Sequence, residues 1–333
     1  MKQLVSAGKR KTALIEVEEP MITAPDEIKV KLTGCGVCMS EHFAWSEHID
    51  NRPFGHEPIG VITEVGADVT YFKVGDRVSG GFSGSAEYAV VKQTDAIFKL
   101  PDTIGDIDGV LEPLACLVSA VTKMRMTIIG DTVAVVGCGY MGCGAISLLK
   151  KRGYYVVGID IREESLKNAL RYGADEVYTP DNIPESYFYT AGNDLNFTGA
   201  PGGFPIVMEW GETADSLDVA VRIVSQCGQI GVGAYHTGEK RPVDVQALNV
   251  KAIDMLSTHP RETDIMRRAY HSIIRMLSDK TWNYQGLPTK VYPISRFDQA
   301  HEELETKFGT FMKSVVLFTD EDFEPYIVNG ENA

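Results

Sequence analysis

The stretch VAVVGCGYMG, residues 133–142, joins an apolar run to the glycine spacing G-x-G-x-x-G. Gly137 permits a tight turn, Gly139 lets a pyrophosphate approach the backbone, and Gly142 lets the next helix pack closely on the strand. The glycine pattern alone is weak evidence, but an apolar strand precedes it and a helical pattern follows, which is the context that the motif requires. The free N–H groups at the start of that helix favour a phosphate group. The stretch therefore predicts a dinucleotide-binding turn.

The next strand carries the second part of this pattern. It is YYVVGID, and its Asp160 lies 23 residues after Gly137, near the spacing of about 20 expected for a carboxylate that binds the adenosine ribose. This carboxylate would accept hydrogen bonds from the ribose hydroxyls and repel a 2′-phosphate, which favours NAD over NADP. Arg162 argues the other way, because an arginine there can bind such a phosphate. The predicted cofactor-binding residues also include Tyr140 and Met141 of the turn.

Strand-like and helix-like segments alternate on both sides of the turn, through FPIVMEW, ETADSLDVAVRIVSQCG, QIGVGAY and AIDMLST. Such alternation predicts βαβ units and a parallel sheet. The first 105 residues differ, because EIKVKLTGCGV alternates apolar and polar residues and no long helical period occurs there. After Pro260, the segment RETDIMRRAYHSIIRMLSDK predicts a helix with an apolar stripe at Ile265, Met266, Ala269, Ile273 and Met276. The last residues are acidic, and we expect them to be frayed.

Composition excludes several classes of protein. The chain has 333 residues, 44% of them hydrophobic, which suits two globular domains. Its formal charge of −14 argues against a nucleic-acid partner, since phosphate binding requires a basic face. No stretch approaches the roughly 18 apolar residues that cross a bilayer, and the N-terminus lacks the apolar core of a signal peptide, so we expect a soluble, cytoplasmic protein without a membrane partner. The six cysteines are too dispersed to suggest a disulfide framework: Cys35, Cys38, Cys116, Cys138, Cys143 and Cys227.

Three separate stretches carry residues that can bind a metal ion. Cys38 lies in GCGVCMSEHF, His56 and Glu57 lie in FGHEPIG, and Glu112 lies in LEPLAC. Thiolate, imidazole and carboxylate donors together suit Zn²⁺. Each residue alone also has a structural explanation, as a buried cysteine, a core histidine or a carboxylate at the positive end of a helix.

Cys35 and Cys38 form a C-x-x-C pair, which is typical of redox sites and zinc knuckles. A redox pair needs the helix start of a thioredoxin-like fold, whereas this segment has the pattern of a strand end. A knuckle needs a second C-x-x-C, which the sequence lacks. We therefore expect Cys38 to be a single ligand and Cys35 to be a packing residue.

The motifs GVCMSEH, GHEPIGVITEVG, VGDRV, LEPLA and VGCGYMG occur in the order seen in zinc-containing medium-chain alcohol and polyol dehydrogenases, and the chain resembles that family through to YPISRFDQAHEELE. The sequence G-H-E followed by P-x-G-x-V is quite specific. The resemblance implies an α/β protein with a Rossmann doubly wound parallel sheet at residues 121–262. It also implies a GroES-like, β-rich catalytic domain at residues 1–120 and 263–333. The implied chemistry is reversible hydride transfer between an alcohol and NAD(P).

The resemblance also implies roles for single residues. Cys38 resembles the first zinc ligand of the family and His56 the second. Glu57 resembles a carboxylate that binds zinc in some members and swings away in others. Glu112 resembles the residue that completes the site in the sorbitol and threonine dehydrogenase branches. Either glutamate remains a candidate for the third ligand.

Two further positions next to Cys38 match the family, and two features depart from it. Ser40 resembles the hydroxyl beside the substrate alcohol, and Glu41 matches a residue, usually Asp, that hydrogen-bonds the zinc histidine. Many relatives hold a structural zinc in a four-cysteine lobe after GDRV, but GDRVSGGFSGSAEYAVV contains no cysteine, which predicts one zinc ion. Some members carry a proton-relay histidine three residues after the serine; that position is Phe43 here, with His42 one place earlier.

The resulting prediction is a zinc-dependent oxidoreductase that transfers a hydride between NAD(H) and a small secondary alcohol or ketone. The glutamate of LEPLA, which resembles that of the sorbitol branch, favours a polyol, sugar or cyclitol as the substrate. Two alternatives remain: a metal-free quinone or enone reductase, which would lack the ligand set, and a dinucleotide-binding sensor that has lost catalysis. By resemblance we expect a homodimer or homotetramer. His236 and His259 are candidates to reach the substrate or nicotinamide, and equally candidates for ordinary loop histidines.

Overall fold

The computed structural model describes residues 1–125, 127–189, 202–282, 284, 287–306 and 310–329. The chain divides into two compact units, Met1–Ala115 with Arg267–Ala333, and Cys116–Met266.

The N-terminal elements are β1 Lys2–Gly8, β2 Lys11–Glu16, β3 Glu27–Val37, α1 His42–Glu47, β4 Glu57–Val65, β5 Arg77–Gly80, β6 Tyr88–Lys92, β7 Ile97–Lys99 and α2 Glu112–Lys123. The central elements are β8 Thr132–Val136, α3 Tyr140–Lys151, β9 Tyr155–Ile159, α4 Glu163–Arg171, β10 Glu176–Tyr178, β11 Phe204–Glu209, α5 Ala214–Ile223, β12 Val224–Val232, α6 Val245–Val250 and β13 Asp254–Ser257. The C-terminal elements are α7 Thr263–Ser278, β14 Thr289–Pro293, α8 Phe297–Thr306, β15 Lys313–Leu317 and β16 Tyr326–Val328.

The central unit contains a six-stranded parallel sheet in the order β10-β9-β8-β11-β12-β13. Strands β8 and β9 are runs of apolar residues because the interior of a parallel sheet is covered on both faces. From β8 the chain adds β9 and β10 on one side and β11 to β13 on the other, so the strand order reverses between β8 and β11. The predicted doubly wound α/β fold is confirmed. Ligands of such folds bind at the carboxyl ends of the strands, at this reversal point.

The other unit is built on an eight-stranded sheet, in the order β16-β14-β15-β3-β4-β5-β7, with β6 also paired to β3. Strand β3 pairs with β4 in antiparallel register, and Gly36 lies opposite Glu57. The alternating burial of β3 gives way to four consecutive buried residues at its end, where the strand enters the core. Cys35 is one of them, at 1% exposure, and burial raises the pKa of its thiol well above the ordinary range.

Three details of the sequence interpretation were wrong. The helical pattern over 212–228 is a shorter helix, because α5 ends at Ile223, where the Lys251 ammonium donates to the last carbonyls of the helix. In α7 the predicted stripe is right at Ala269 and Ile273, which are buried, but Ile265, Met266 and Met276 are only partly buried. Tyr270 and Leu277 complete the buried face instead.

The acidic C-terminal segment was also mispredicted. It includes an edge strand, β16, which pairs antiparallel with β14. An edge strand of three residues carries too weak a periodic pattern to be recognised. The expected fraying of the last residues concerns in part residues 330–333, which lie outside the described residues. Within the described part of the chain, no helix combines the length and the apolar character needed to span a bilayer.

Candidate active site

The ends of two paired strands bring the predicted metal ligands together. Cys38 directly follows β3, His56 directly precedes β4, and Glu57 is the first residue of β4. Because β3 and β4 are antiparallel neighbours, the end of one lies beside the start of the other. One ligand atom from each of Cys38, His56 and Glu57 lies within 4.8 Å of the other two. A thiol, an imidazole and a carboxylate that are distant in sequence thus form one cluster.

Glu41 fixes the orientation of the cluster's histidine. Its Oε1 lies 2.9 Å from His56 Nδ1 and accepts the backbone N–H of Gly55, also at 2.9 Å. A carboxylate only accepts hydrogen bonds, so His56 Nδ1 carries a hydrogen, and Nε2 is the ring atom available to Cys38 or to a metal ion. Burial disfavours protonation of His56, but its hydrogen bonds to Cys38 and Glu41 raise its pKa to about 12. The sequence prediction placed Glu41 in this role.

Lys313, which the sequence analysis missed, contacts the cluster from β15. Its Nζ lies 2.5 Å from Glu57 Oε2 and donates to the backbone carbonyl of Val37 at 3.1 Å. Both charged side chains are buried, and Glu57 is fully so. A Cβ atom at Gly36 would lie 1.9 Å from Glu57 Oε2, so only glycine leaves room for this carboxylate. The sequence did contain a signal for this buried residue, because Lys313 is the one charged residue in the otherwise mostly apolar stretch FMKSVVLF.

The remaining predicted site residues have varied positions. Ser40 Oγ donates to Cys38 Sγ at 3.3 Å, beside the cluster. Glu112 is the first residue of α2 and is not part of the three-residue cluster found among the described residues. Phe43 is 40% exposed on α1. His42 packs beside Trp45, and its Nε2 lies 3.4 Å from Glu305 of α8.

The glycine motif forms the turn between β8 and α3. Gly137 has φ +89°, and a Cβ at Gly142 would lie 1.8 Å from the Gly137 carbonyl oxygen. A Cβ at Gly139, the N-cap of α3, would meet nothing within 4 Å, so open space lies in front of this backbone. Tyr140 and Met141 begin the helix. The free space lies where a phosphate would approach the helix start.

Asp160 is oriented by the same turn. Its Oδ2 accepts the backbone N–H of Cys138 at 2.8 Å, and its Oδ1 accepts that of Arg162 at 2.9 Å. The Arg162 Nε atom lies 3.4 Å from the same Oδ1. Ile161, between them, is 80% exposed.

Comparisons with known proteins identify the family to which the chain is similar. Residues 24–102 match the family model "Alcohol dehydrogenase GroES-like domain", and residues 132–181 match "3-hydroxyacyl-CoA dehydrogenase, NAD binding domain". An alcohol dehydrogenase of Geobacillus stearothermophilus is 31% identical over 215 residues, which cover 53% of this chain and 63% of that protein. The (R,R)-butanediol dehydrogenase of Bacillus subtilis is 30% identical over 237 residues, or 56% of this chain and 67% of that protein.

The crystal structure of 2R,3R-butanediol dehydrogenase from Bacillus subtilis matches the whole fold. It superposes with a TM-score of 0.75 at 21% identity, and the match covers 96% of this chain and 99% of that one. The fold, the glycine turn and the two family models agree with the sequence resemblance. The chain therefore belongs to the zinc-containing medium-chain alcohol dehydrogenase family, and it is an NAD-dependent alcohol or polyol dehydrogenase.

Proposed function

We propose that the chain is a zinc-dependent oxidoreductase that transfers a hydride between NAD(H) and a secondary alcohol or ketone. The observation that carries this proposal is the convergence of Cys38, His56 and Glu57, with ligand atoms within 4.8 Å of one another. Three protein donors of this kind suit a catalytic zinc, which keeps its fourth position for water or substrate. The burial of the Glu57 carboxylate also favours a cation nearby.

Cys38 and His56 are the two constant ligands of the proposed single zinc ion, and one glutamate completes the site. Glu57 lies in the cluster, but its ion pair with Lys313 makes the lysine a competitor for its carboxylate. Glu112 is the other candidate, and the electrostatic influence that it exerts on Lys313 supports a position near this cluster. An exchange between the two glutamates is consistent with both observations.

Once bound by Cys38, His56 and a glutamate, zinc would supply the Lewis acid for the alcohol oxygen, and NAD bound at the glycine turn would supply the hydride acceptor. The protein side chains position the reactants and move the proton. Ser40, whose Oγ lies 3.3 Å from Cys38 Sγ, accepts a hydrogen bond from the substrate hydroxyl and passes a proton outward through its own O–H. Glu41 holds His56 in the tautomer that binds a metal. Glu57 and Lys313 keep the surroundings of the site close to electrical neutrality.

The dinucleotide is proposed to bind the domain formed by residues 121–262, while residues 1–120 and 263–333 form the catalytic domain. Gly137, Gly139, Tyr140, Met141 and Gly142 face the pyrophosphate, and Asp160 accepts hydrogen bonds from the adenosine ribose. The engagement of Arg162 with Asp160 supports NAD over NADP, because the arginine is then less available to a 2′-phosphate.

The proposed substrate is a polyol, sugar or cyclitol with a secondary hydroxyl. The related enzyme of Bacillus subtilis is named for butanediol, whose two hydroxyl groups are adjacent. By family resemblance, the proposed assembly is a homodimer or homotetramer, which light scattering would measure. A cytoplasmic location remains a prediction.

The deciding experiment combines activity with metal analysis on the full-length protein. NAD⁺ and NADP⁺ reduction would be followed across polyols, cyclitols and amino alcohols while zinc is measured by mass spectrometry. Cys38→Ser should lose both zinc and activity, whereas Cys227→Ser, an exposed cysteine in the other unit, should keep both. Activity in a zinc-free preparation would favour the metal-free reductase. Bound zinc without any hydride transfer would favour the sensor.

A further inference from the structure

Three loops at the carboxyl edge of the parallel sheet contain buried polar atoms without a partner. Among the described residues, Trp210 Nε1, His236 Nδ1 and His259 Nδ1 are buried and make no hydrogen bond. They follow β11, β12 and β13 respectively. Buried polar groups are nearly always satisfied in native proteins, so a group of exceptions requires an explanation. These three lie together at the edge where dinucleotides bind, whereas the other unsatisfied atoms of the described residues are dispersed over the two units.

The side chain of His236 is anchored by a buried carboxylate. Its Nε2 lies 2.9 Å from Oε2 of Glu209, which is fully buried at the end of β11. The other oxygen of Glu209 accepts from Gly211 N at 2.7 Å and from Ser216 Oγ at 2.6 Å, so the carboxylate cannot rotate freely. Because a carboxylate only accepts, Nε2 of a neutral His236 carries the hydrogen. Nδ1 therefore presents a lone pair, which is a hydrogen-bond acceptor.

Trp210 places a hydrogen-bond donor in the same region. A Cβ at Gly233 would lie 2.6 Å from three atoms of the indole, so the ring packs directly on the loop that leads to His236. The backbone N–H of Trp210 donates to the Val136 carbonyl at 2.7 Å, which ties this residue to the glycine turn. The indole Nε1–H can only donate. His236 also has φ +49°, a strained backbone for a histidine, and such strain often persists at functional positions.

We propose that Trp210 and His236 bind the carboxamide group of the nicotinamide ring. A primary carboxamide has one acceptor oxygen and one donor NH₂, and the two unpartnered atoms are one donor and one acceptor. The indole N–H binds the carboxamide oxygen, and His236 Nδ1 accepts from the NH₂ group. The inference rests on the dinucleotide binding proposed above and extends it to side chains that discriminate the nicotinamide end.

His259 provides an internal control. Its ring packs beside Tyr235 at 5.6 Å between centroids, and no carboxylate anchors its imidazole among the described residues. Burial lowers its pKa, and no acceptor among the described residues fixes its tautomer or its orientation. A histidine held only by ring packing can reorient, so we do not expect it to form a specific hydrogen bond to a planar amide.

The test separates the two ends of the cofactor by calorimetric titration of the full-length protein with NADH and with ADP-ribose, which lacks nicotinamide. His236→Phe and Trp210→Phe should each weaken NADH binding about three- to tenfold, the worth of one neutral hydrogen bond, and leave ADP-ribose binding unchanged. His236→Gln, which keeps an acceptor, should recover part of the loss, and His259→Phe should behave as wild type. Retained ADP-ribose binding shows that each variant is folded.

An NAD⁺ analogue with an acetyl group in place of the carboxamide refines the test, because it keeps the oxygen and loses the NH₂ donor. Wild type should prefer NAD⁺ over the analogue, His236→Phe should lose that preference, and Trp210→Phe should keep it. An unchanged ratio of NADH to ADP-ribose affinity in both phenylalanine variants would overturn the carboxamide assignment alone. If the wild-type protein binds neither ligand, the proposed cofactor is itself wrong.

Discussion

At the scale of single residues, the contact that matters most for the proposed metal site is the one between Glu41 and His56. The hydrogen bond of 2.9 Å aligns the imidazole and selects its tautomer. Glu41→Ala should therefore weaken zinc binding about 10- to 100-fold, the usual effect of losing such a partner. Competition with a coloured chelator measures this affinity directly. Glu41→Asp should retain most of it, and an unchanged affinity in Glu41→Ala would show that the contact is incidental.

Lys313 allows a second prediction, which concerns charge. Lys313→Met leaves the buried Glu57 carboxylate without its cation, and breaking a buried pair costs about 3–5 kcal/mol. We expect the metal-free variant to unfold at lower urea concentration than metal-free wild type. Zinc should restore much of the loss, since it supplies another cation to the same carboxylate. A loss of equal size with and without zinc would separate Lys313 from the metal.

The sequence predicted the parts of this site that are local in the chain. Cys38, Glu41 and His56 lie in short motifs whose chemistry is readable from residue type and spacing. A lysine within the apolar run FMKSVVLF indicates a buried charge, but its partner Glu57 was not predictable, because the contact depends on β15 pairing with β3, and a single sequence carries no signal of which distant strands pair. The choice between Glu57 and Glu112 was likewise beyond sequence reasoning, since it depends on distances of a few ångströms.

At the scale of elements, Lys251 determines where α5 ends. Its ammonium donates to the carbonyls of Val221, Arg222 and Val224 at 2.7, 3.1 and 2.8 Å, and these groups would otherwise lack helical partners. The strand β12 can then begin directly at Val224. The sequence could not reveal this boundary, because the stretch RIVSQ fits the end of a helix and the start of a strand equally well.

Lys251→Met should therefore destabilise the protein by about 2 kcal/mol, the scale of hydrogen bonds to a charged donor. Urea denaturation of the full chain measures this change. The variant also serves as a control for Lys313→Met, because it removes another buried lysine from the other unit. Its deficit should be the same with and without zinc. A variant as stable as wild type would mean that water replaces the lysine at the helix end.

At the scale of the whole molecule, the sequence predicted the two kinds of domain better than it predicted the side-chain contacts in their cores. Alternating apolar strands and amphipathic helices define a parallel sheet, and strict two-residue alternation marks the β-rich part. Neither pattern shows which side chains meet in a core. The interior of the β-rich unit contains such a case in His301 of α8, which is fully buried among Trp45, Phe54 and Phe297.

His301 predicts how the stability of the molecule depends on pH. Burial, reinforced by nearby His42 and Arg10 and opposed by Glu305, lowers its pKa to about 3, well below the value of about 6.5 in an unfolded chain. Between these values the unfolded state binds the extra proton, so stability falls as the pH falls below about 6.5, by up to about 1.4 kcal/mol per pH unit. His301→Phe, which suits the aromatic surroundings, should remove this contribution. Between pH 8 and pH 5 the wild type should then lose about 2 kcal/mol more than the variant.

Urea titrations at the two pH values measure the difference, and other titrating groups cancel because both proteins contain them. His271→Gln removes an exposed histidine of α7 and supplies the matched control for the loss of a buried one. Parallel curves for wild type and His301→Phe would mean that the imidazole is hydrated or reorients before the protein unfolds. A steeper wild-type curve would identify this buried ring as the group that makes the β-rich unit sensitive to acid.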